Sequence, residues 1–183
     1  MNFANKISTF RILTVPFFIS SLIYYSSEKD FLRFVALGIF LLGVLSDAID
    51  GYIARKSKQL SKAGRILDPL GDKLLLTSAF ICLYLFLKLP LWVTLIVVSR
   101  DVIILLGAIV IFIVKKDINV SPTRWGKLTT SFQMASVISV LLQFKISYIF
   151  WNIAVFFTVI SGIDYIMRGF KILYALDNNR NHL

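Results

Sequence analysis

Cysteine and histidine are almost absent, with one of each in 183 residues. Cys82 cannot close an intrachain disulfide, and it lies in an apolar stretch where packing is its natural role. His182, near the end, is assigned nothing, and no zinc-ligand spacing exists. Acidic residues are scarce too, 10 against 20 basic ones, for a net charge of +10. Polar length is the largest deficit. The chain is 57% hydrophobic with a mean hydropathy of +0.79, well above a soluble domain. No soluble domain of any size is left once the apolar stretches are counted. Repeats and low-complexity tracts are also missing.

The apolar stretches predict about six membrane-spanning helices, since a span needs roughly 20 apolar residues. They run about Thr9–Ser26, Phe31–Arg55, Ile66–Lys88, Leu91–Val114, Gly126–Phe144 and Ser147–Gly169. Pro16 falls inside the first and is expected to kink it. Met1–Ser8 reads as a short interfacial segment. The first span has no convincing small-residue cleavage site and is expected to be retained. The fold class is therefore an all-α integral membrane protein, one bundle over residues 1–183.

Basic residues are uneven between the two sides. Arg55, Lys56, Lys58, Lys62 and Arg65 cluster between spans two and three, and Lys115, Lys116, Arg124 and Lys127 between spans four and five. The other side holds Lys29, Arg33, Lys88 and Lys145. Both termini and the loop Lys56–Ala63 are thus expected in the cytoplasm of a bacterial cell membrane. Charges beside spans point to anionic lipid and anionic substrate rather than nucleic acid. Trp92, Trp125 and Trp151 lie near span ends, as in an interfacial aromatic belt.

Four aspartates break the apolar pattern: Asp47, Asp50, Asp68 and Asp72. Carboxylates at the end of a span are costly and read as functional. Spacings of three and four place each pair on one helical face. Four facing carboxylates repel unless cations sit between them. Hard oxygen ligands on paired helices suit Mg²⁺ or Mn²⁺. The residues thus describe a metal-dependent enzyme at a membrane surface.

The full pattern is Asp47-x2-Asp50-Gly51-x2-Ala54-Arg55-x8-Gly64-x3-Asp68-x3-Asp72. It resembles the signature of the CDP-alcohol phosphatidyltransferase family at every fixed position and gap. Asn5–Arg11 with Pro16, Leu67–Leu75, Gly126–Thr130 with Gln133 and Met134, and Ser161–Tyr165 are similar to its phosphatidylglycerophosphate synthase branch. Gly71 stands where alanine is usual. Ser99-Arg100-Asp101-Val102 looks more like the family's cardiolipin synthases.

The resemblance implies a six-span enzyme, usually a homodimer. It implies transfer of a phosphatidyl group from CDP-diacylglycerol to an alcohol, with release of CMP. The favoured acceptor is sn-glycerol 3-phosphate, and the alternative is phosphatidylglycerol. Asp47, Asp50, Asp68 and Asp72 become the metal ligands, with two divalent ions balancing four carboxylates. Asp72 is the candidate general base, which must reach the acceptor hydroxyl. Asp47, Gly51, Ala54, Arg55, Gly64 and Asp68 are assigned to the CDP moiety, the small residues admitting the nucleotide. Taken singly, those small residues would read as close helix packing.

Arg100 lies inside span four and needs a partner or an anionic ligand. One reading is a salt bridge to Asp101 or to the motif aspartates. The other is a clamp on the acceptor phosphate with Lys127 and Arg11, Arg100 and Lys127 standing next to the cytoplasmic ends of their spans. Lys73 would join that pocket or balance the aspartates, and Asp164 reads as structural. A divalent-cation transporter is the rival from another class. Against it, the aspartates cluster at one interface, and a pore gives no role to Arg55 and glycines at fixed gaps.

Overall fold

The computed structural model describes the backbone of residues 3–57, 64–115 and 124–180, and side chains within 12–26, 28–46, 73–107 and 125–171. Among the described residues there are six α-helices and no strand. They are α1 (Phe3–Ile23), α2 (Phe31–Ser57), α3 (Gly64–Leu87), α4 (Leu91–Lys115), α5 (Arg124–Leu141) and α6 (Ser147–Arg180), with a 3-10 turn at Ser27–Lys29. The all-helical expectation holds. The separate segment expected at Met1–Ser8 does not: α1 runs unbroken from Phe3 through Pro16. Helix α6 continues eleven residues past the expected Gly169. Within the described residues only Ser147–Lys171 is long and apolar enough to cross a membrane, and Ile12–Ile23, Phe31–Ser46 and Lys73–Leu87 are shorter apolar helices.

The chain divides into two compact units, Met1–Pro90 with Val137–Lys145, and Leu91–Ser136 with Ile146–Leu183. In the first, α1 packs against both α2 and α3, and α2 also meets α3. The buried stripe of α2 is Arg33, Ala36, Phe40 and Gly43, at the helical spacing of three and four. It meets Phe18 and Leu22 of α1 and Leu75, Leu76, Ala79 and Leu83 of α3 in one apolar core. Phe18 and Phe40 touch, ring centroids 6.1 Å apart. A Cβ on Gly43 would lie 2.5 Å from Leu75 Cδ2 and 3.9 Å from Thr14 Oγ1. Glycine there is what lets the three helices meet.

Arg33 is the anomaly of this core. It is 7% exposed. Its Nη2 donates to Asp30 Oδ2 at 2.8 Å, and its Cζ lies 4.9 Å from the Phe34 ring centroid. Nε and Nη1 are buried with no hydrogen-bond partner among the described residues. An unmade buried hydrogen bond costs about 1–3 kcal/mol. A cation–π contact at an exposed ring returns only ~0.5–1 kcal/mol.

In the second unit α4 packs against α6. Polar side chains tie α5 to α6. Thr129 Oγ1 lies 2.9 Å from Phe157 O, and Gln133 Nε2 donates to Thr158 Oγ1 at 3.1 Å. Phe132 stacks on Phe157 with centroids 4.8 Å apart. These are hydrogen bonds that apolar surroundings favour, since water does not compete there.

Helices α3 and α5 end on left-handed residues that are not glycine, Lys88 (φ 58°) and Gln143 (φ 52°). After Lys88, Leu89 N–H donates back to Leu83 O at 3.2 Å, and after Gln143, Phe144 N–H donates back to Ser139 O at 3.0 Å, the second being a Schellman closure, whose left-handed position favours glycine. The left-handed form costs an L-residue about 1–2 kcal/mol, more than the ~0.5–1 kcal/mol entropic cost of glycine. Lys88→Gly should therefore stabilise the protein by about 0.5–1 kcal/mol, read as a raised unfolding midpoint in detergent. An unchanged or lowered midpoint would show that the lysine side chain compensates the strain.

Candidate active site

Helices α2 and α3 carry the whole motif. Helix α2 extends through Asp47, Asp50, Gly51, Ala54 and Arg55, and α3 begins at Gly64 and runs through Asp68 and Asp72. The side chains of these residues, and that of Arg11, lie outside the described residues. The described part of the two helices fixes their register. Thr14 stands against Gly43 and Phe18 against Phe40, so α1 and α2 are antiparallel. Leu75 of α3 stands against the same Gly43.

From that shared level the backbone geometry can be followed upward. A helix rises 1.5 Å and turns about 100° per residue. Asp50 is seven residues beyond Gly43 and Asp68 is seven before Leu75, so each stands about 10 Å above the crossing. Asp47 and Asp72 stand about 6 and 4.5 Å above it. By register, Gly43, Asp47, Asp50 and Ala54 share about 60° of α2, and Leu75, Asp72, Asp68 and Gly64 share about 80° of α3. The stripe that packs the helices is thus continued by the stripe that carries the carboxylates. The backbone thus carries the two aspartate positions of each helix at two similar heights.

Among the described residues no three Asp, Glu, His or Cys side chains come together. Gly43 was not singled out by the sequence pattern. Its signal was there, a small residue four positions before Asp47 on the same face.

Arg100 lies elsewhere than its expected place. It is the tenth residue of α4, fifteen short of Lys115, or about 22 Å from that end. It is buried. Nη1 meets Asp101 Oδ1 at 2.7 Å and Nη2 donates to Ser161 Oγ of α6 at 2.7 Å. The expected bridge to Asp101 is present, while Ser161 as a partner was not foreseen. Nε has no partner among the described residues. Gly162 follows, where a Cβ would sit 3.6 Å from Arg100 Cγ. Lys127 lies in the first turn of α5 and is exposed. Lys73 is half-buried. Asp164 pairs with Arg168 at 3.0 Å along α6.

If the Gly43 crossing sets the spacing of the two aspartate pairs, its size should govern activity. Gly43→Ala meets the flexible tip of Leu75, which can give way, and should keep most activity. Gly43→Ile cannot fit and should cut turnover at least tenfold. Equal turnover in the isoleucine variant and the wild type would detach the crossing from the site.

The chain is similar to known proteins over most of its length. The profile of a family described as CDP-alcohol phosphatidyltransferase matches residues 1–160. A CDP-diacylglycerol–glycerol-3-phosphate 3-phosphatidyltransferase of Aquifex aeolicus is 30% identical, covering 95% of this chain and 99% of that protein. Its Bacillus subtilis counterpart is 30% identical over 94% and 97%. A human cardiolipin synthase (CMP-forming) is 29% identical over 84% of this chain and 58% of its own length. With its eight motif positions intact on α2 and α3, the chain belongs to the CDP-alcohol phosphatidyltransferase family.

Proposed function

We propose that the chain transfers the phosphatidyl group of CDP-diacylglycerol to sn-glycerol 3-phosphate, giving phosphatidylglycerophosphate and CMP. The observation that carries this is the intact eight-residue motif in a chain matched by the family over residues 1–160. The acceptor follows the bacterial relatives, whose names state it and which the chain covers almost end to end. The second reading, phosphatidylglycerol as acceptor, is favoured by the human relative and by Ser99-Arg100-Asp101-Val102.

The acceptor hydroxyl oxygen attacks the lipid-linked phosphorus. A new P–O bond forms, the pyrophosphate P–O bond breaks, and CMP leaves with the electron pair. Asp72 takes the hydroxyl proton, and Asp47, Asp50, Asp68 and Asp72 would hold two Mg²⁺ or Mn²⁺ ions. Such ions, when bound, neutralise the pyrophosphate and align the displacement. Gly51, Ala54 and Gly64 leave room for the nucleotide, and Arg55 meets its phosphate. Lys127 and Arg11 bind the acceptor phosphate. Arg100, buried in mid-α4 with its terminal nitrogens on Asp101 and Ser161, is assigned instead to holding α4 against α6.

The six helices are read as spans of one membrane domain, with a homodimer as the assembly the family pattern implies. Outward-facing apolar residues support this reading: Phe17, Leu45, Leu85, Phe156 and Phe170 are each more than half exposed. In water such a surface would drive association; in lipid it is solvated.

Purified protein given CDP-diacylglycerol, Mg²⁺ and glycerol 3-phosphate should yield phosphatidylglycerophosphate by mass spectrometry, and none in chelator. Cardiolipin formed from phosphatidylglycerol alone would transfer the assignment to the second reading. Asp72→Asn should lose about 10²–10⁴-fold in turnover while still binding donor. Loss of donor binding would make Asp72 chiefly a ligand. The site is also proposed to face the cytoplasm. A cysteine at Ser57, in a Cys82→Ala background, should be labelled from that side, and labelling from the outer side alone would reverse the orientation.

A further inference from the structure

The first unit has a second polar centre, at the end of the helices away from the motif. From the Gly43 crossing back to Phe31 is twelve residues of α2, and from Leu75 on to Leu87 is twelve of α3. Both reach about 18 Å in the direction opposite to the aspartates. The end of α1 and the turn Ser27–Lys29 lie there too. Gln143 Nε2 donates to Tyr25 Oη at 3.2 Å, which brings the chain after α5 to the same end. Arg33 stands in the first turn of α2, fourteen residues from Asp47, or about 21 Å along the helix.

We infer that Arg33 and the N-terminus of α2 form an anion site that takes the phosphodiester of an anionic phospholipid. The first observation is the helix start, which presents a positive dipole end, although the Arg33 N–H of its first turn already donates to Asp30 O at 3.1 Å. The second is independent. Arg33 is nine-tenths buried, its guanidinium reaches back to Asp30 immediately before α2, and two of its three nitrogens have no acceptor among the described residues. A guanidinium fork matches phosphate oxygens in pairs. Phe34, whose ring centroid lies 4.9 Å from the guanidinium carbon, is half-exposed, so a surface side chain is what covers the guanidinium on that face.

Charge and shape favour lipid over a free ion. Lys29, Arg33, Lys88 and Lys145 face Glu28 and Asp30 at this end, a balance of four against two. Lys29, Lys88 and Lys145 are exposed, as are Tyr24, Phe31 and Phe34. Cations interleaved with exposed rings are the composition of a headgroup boundary. The lipid source rests on the membrane reading above, while the anion site does not.

The test is thermal unfolding of the full chain in detergent, titrated with phosphatidylglycerol, with phosphatidylcholine of the same acyl chains, and with inorganic phosphate. This readout needs no turnover, so its failure is separate from failure of the proposed reaction. The wild type should be stabilised by phosphatidylglycerol, and much less by the other two. Arg33→Met should weaken the apparent affinity at least tenfold and leave transferase activity within twofold. Asp30→Ala, at a half-exposed position, frees Nη2 and should tighten it. An undiminished response in Arg33→Met, or no tightening in Asp30→Ala, would overturn the site. A wild-type response that inorganic phosphate fully reproduces would overturn the lipid assignment.

Discussion

Like charges at the end of an apolar bundle are the constraint on which the first unit depends. Four carboxylates on two adjacent helices repel, and no amount of helix propensity offsets that. In the proposed reading, something must hold α2 and α3 together whether or not cations are bound. The Gly43 crossing does this with contact that is independent of charge. Leu75 enters the space a side chain would take, and Phe18, Phe40, Ala79 and Leu83 close the core around it. The apolar half of each helix is the clamp, and the motif half is what it holds.

The second unit solves a different problem. Its helices carry hydroxyls and amides into apolar surroundings, where an unpaired polar group is costly. Most are absorbed locally. Thr130, Ser131, Ser136, Asn152 and Thr158 each bond to the carbonyl four residues back. Gln133 and Arg100 reach across to α6 instead, and the Thr129 hydroxyl is shared between Trp125 O, four residues back, and Phe157 O of α6. The division between local and interhelical bonds is what gives α4, α5 and α6 a fixed register without a large aliphatic core.

Much of this was legible in the sequence. Hydropathy separated six helices and put the ends of α2 and α4 within two residues of their observed places, because charged loops punctuate apolar runs sharply. The motif spacing gave the facing of the aspartate pairs, since helical period is a property of the backbone alone. What could not be read depended on contacts between helices. Gly43 looked like any small residue until Leu75 stood against it. Arg100 was expected inside span four and also beside its cytoplasmic end; α4 runs to Lys115, and only the first holds. Ser161 stood in a stretch the family pattern had marked, but its bond to an arginine sixty-one positions away depends on how two helices meet. The start of α1 was misjudged for a simpler reason. Polar residues at Asn5, Lys6 and Ser8 lower hydropathy without interrupting a helix.

Helix α6 has a further consequence. Its apolar stretch Ser147–Lys171 spans 25 residues, about 37 Å of rise, against roughly 30 Å of hydrocarbon in a typical bilayer. In a membrane the surplus is accommodated by leaning or by local thickening of the lipid. The same helix presents Ser161 to Arg100 and Thr158 to Gln133. In the membrane reading proposed above, any such lean of α6 acts on these polar contacts of the second unit. An enzyme of this build, whose product joins the surrounding bilayer, would sense the thickness of the material it helps to make.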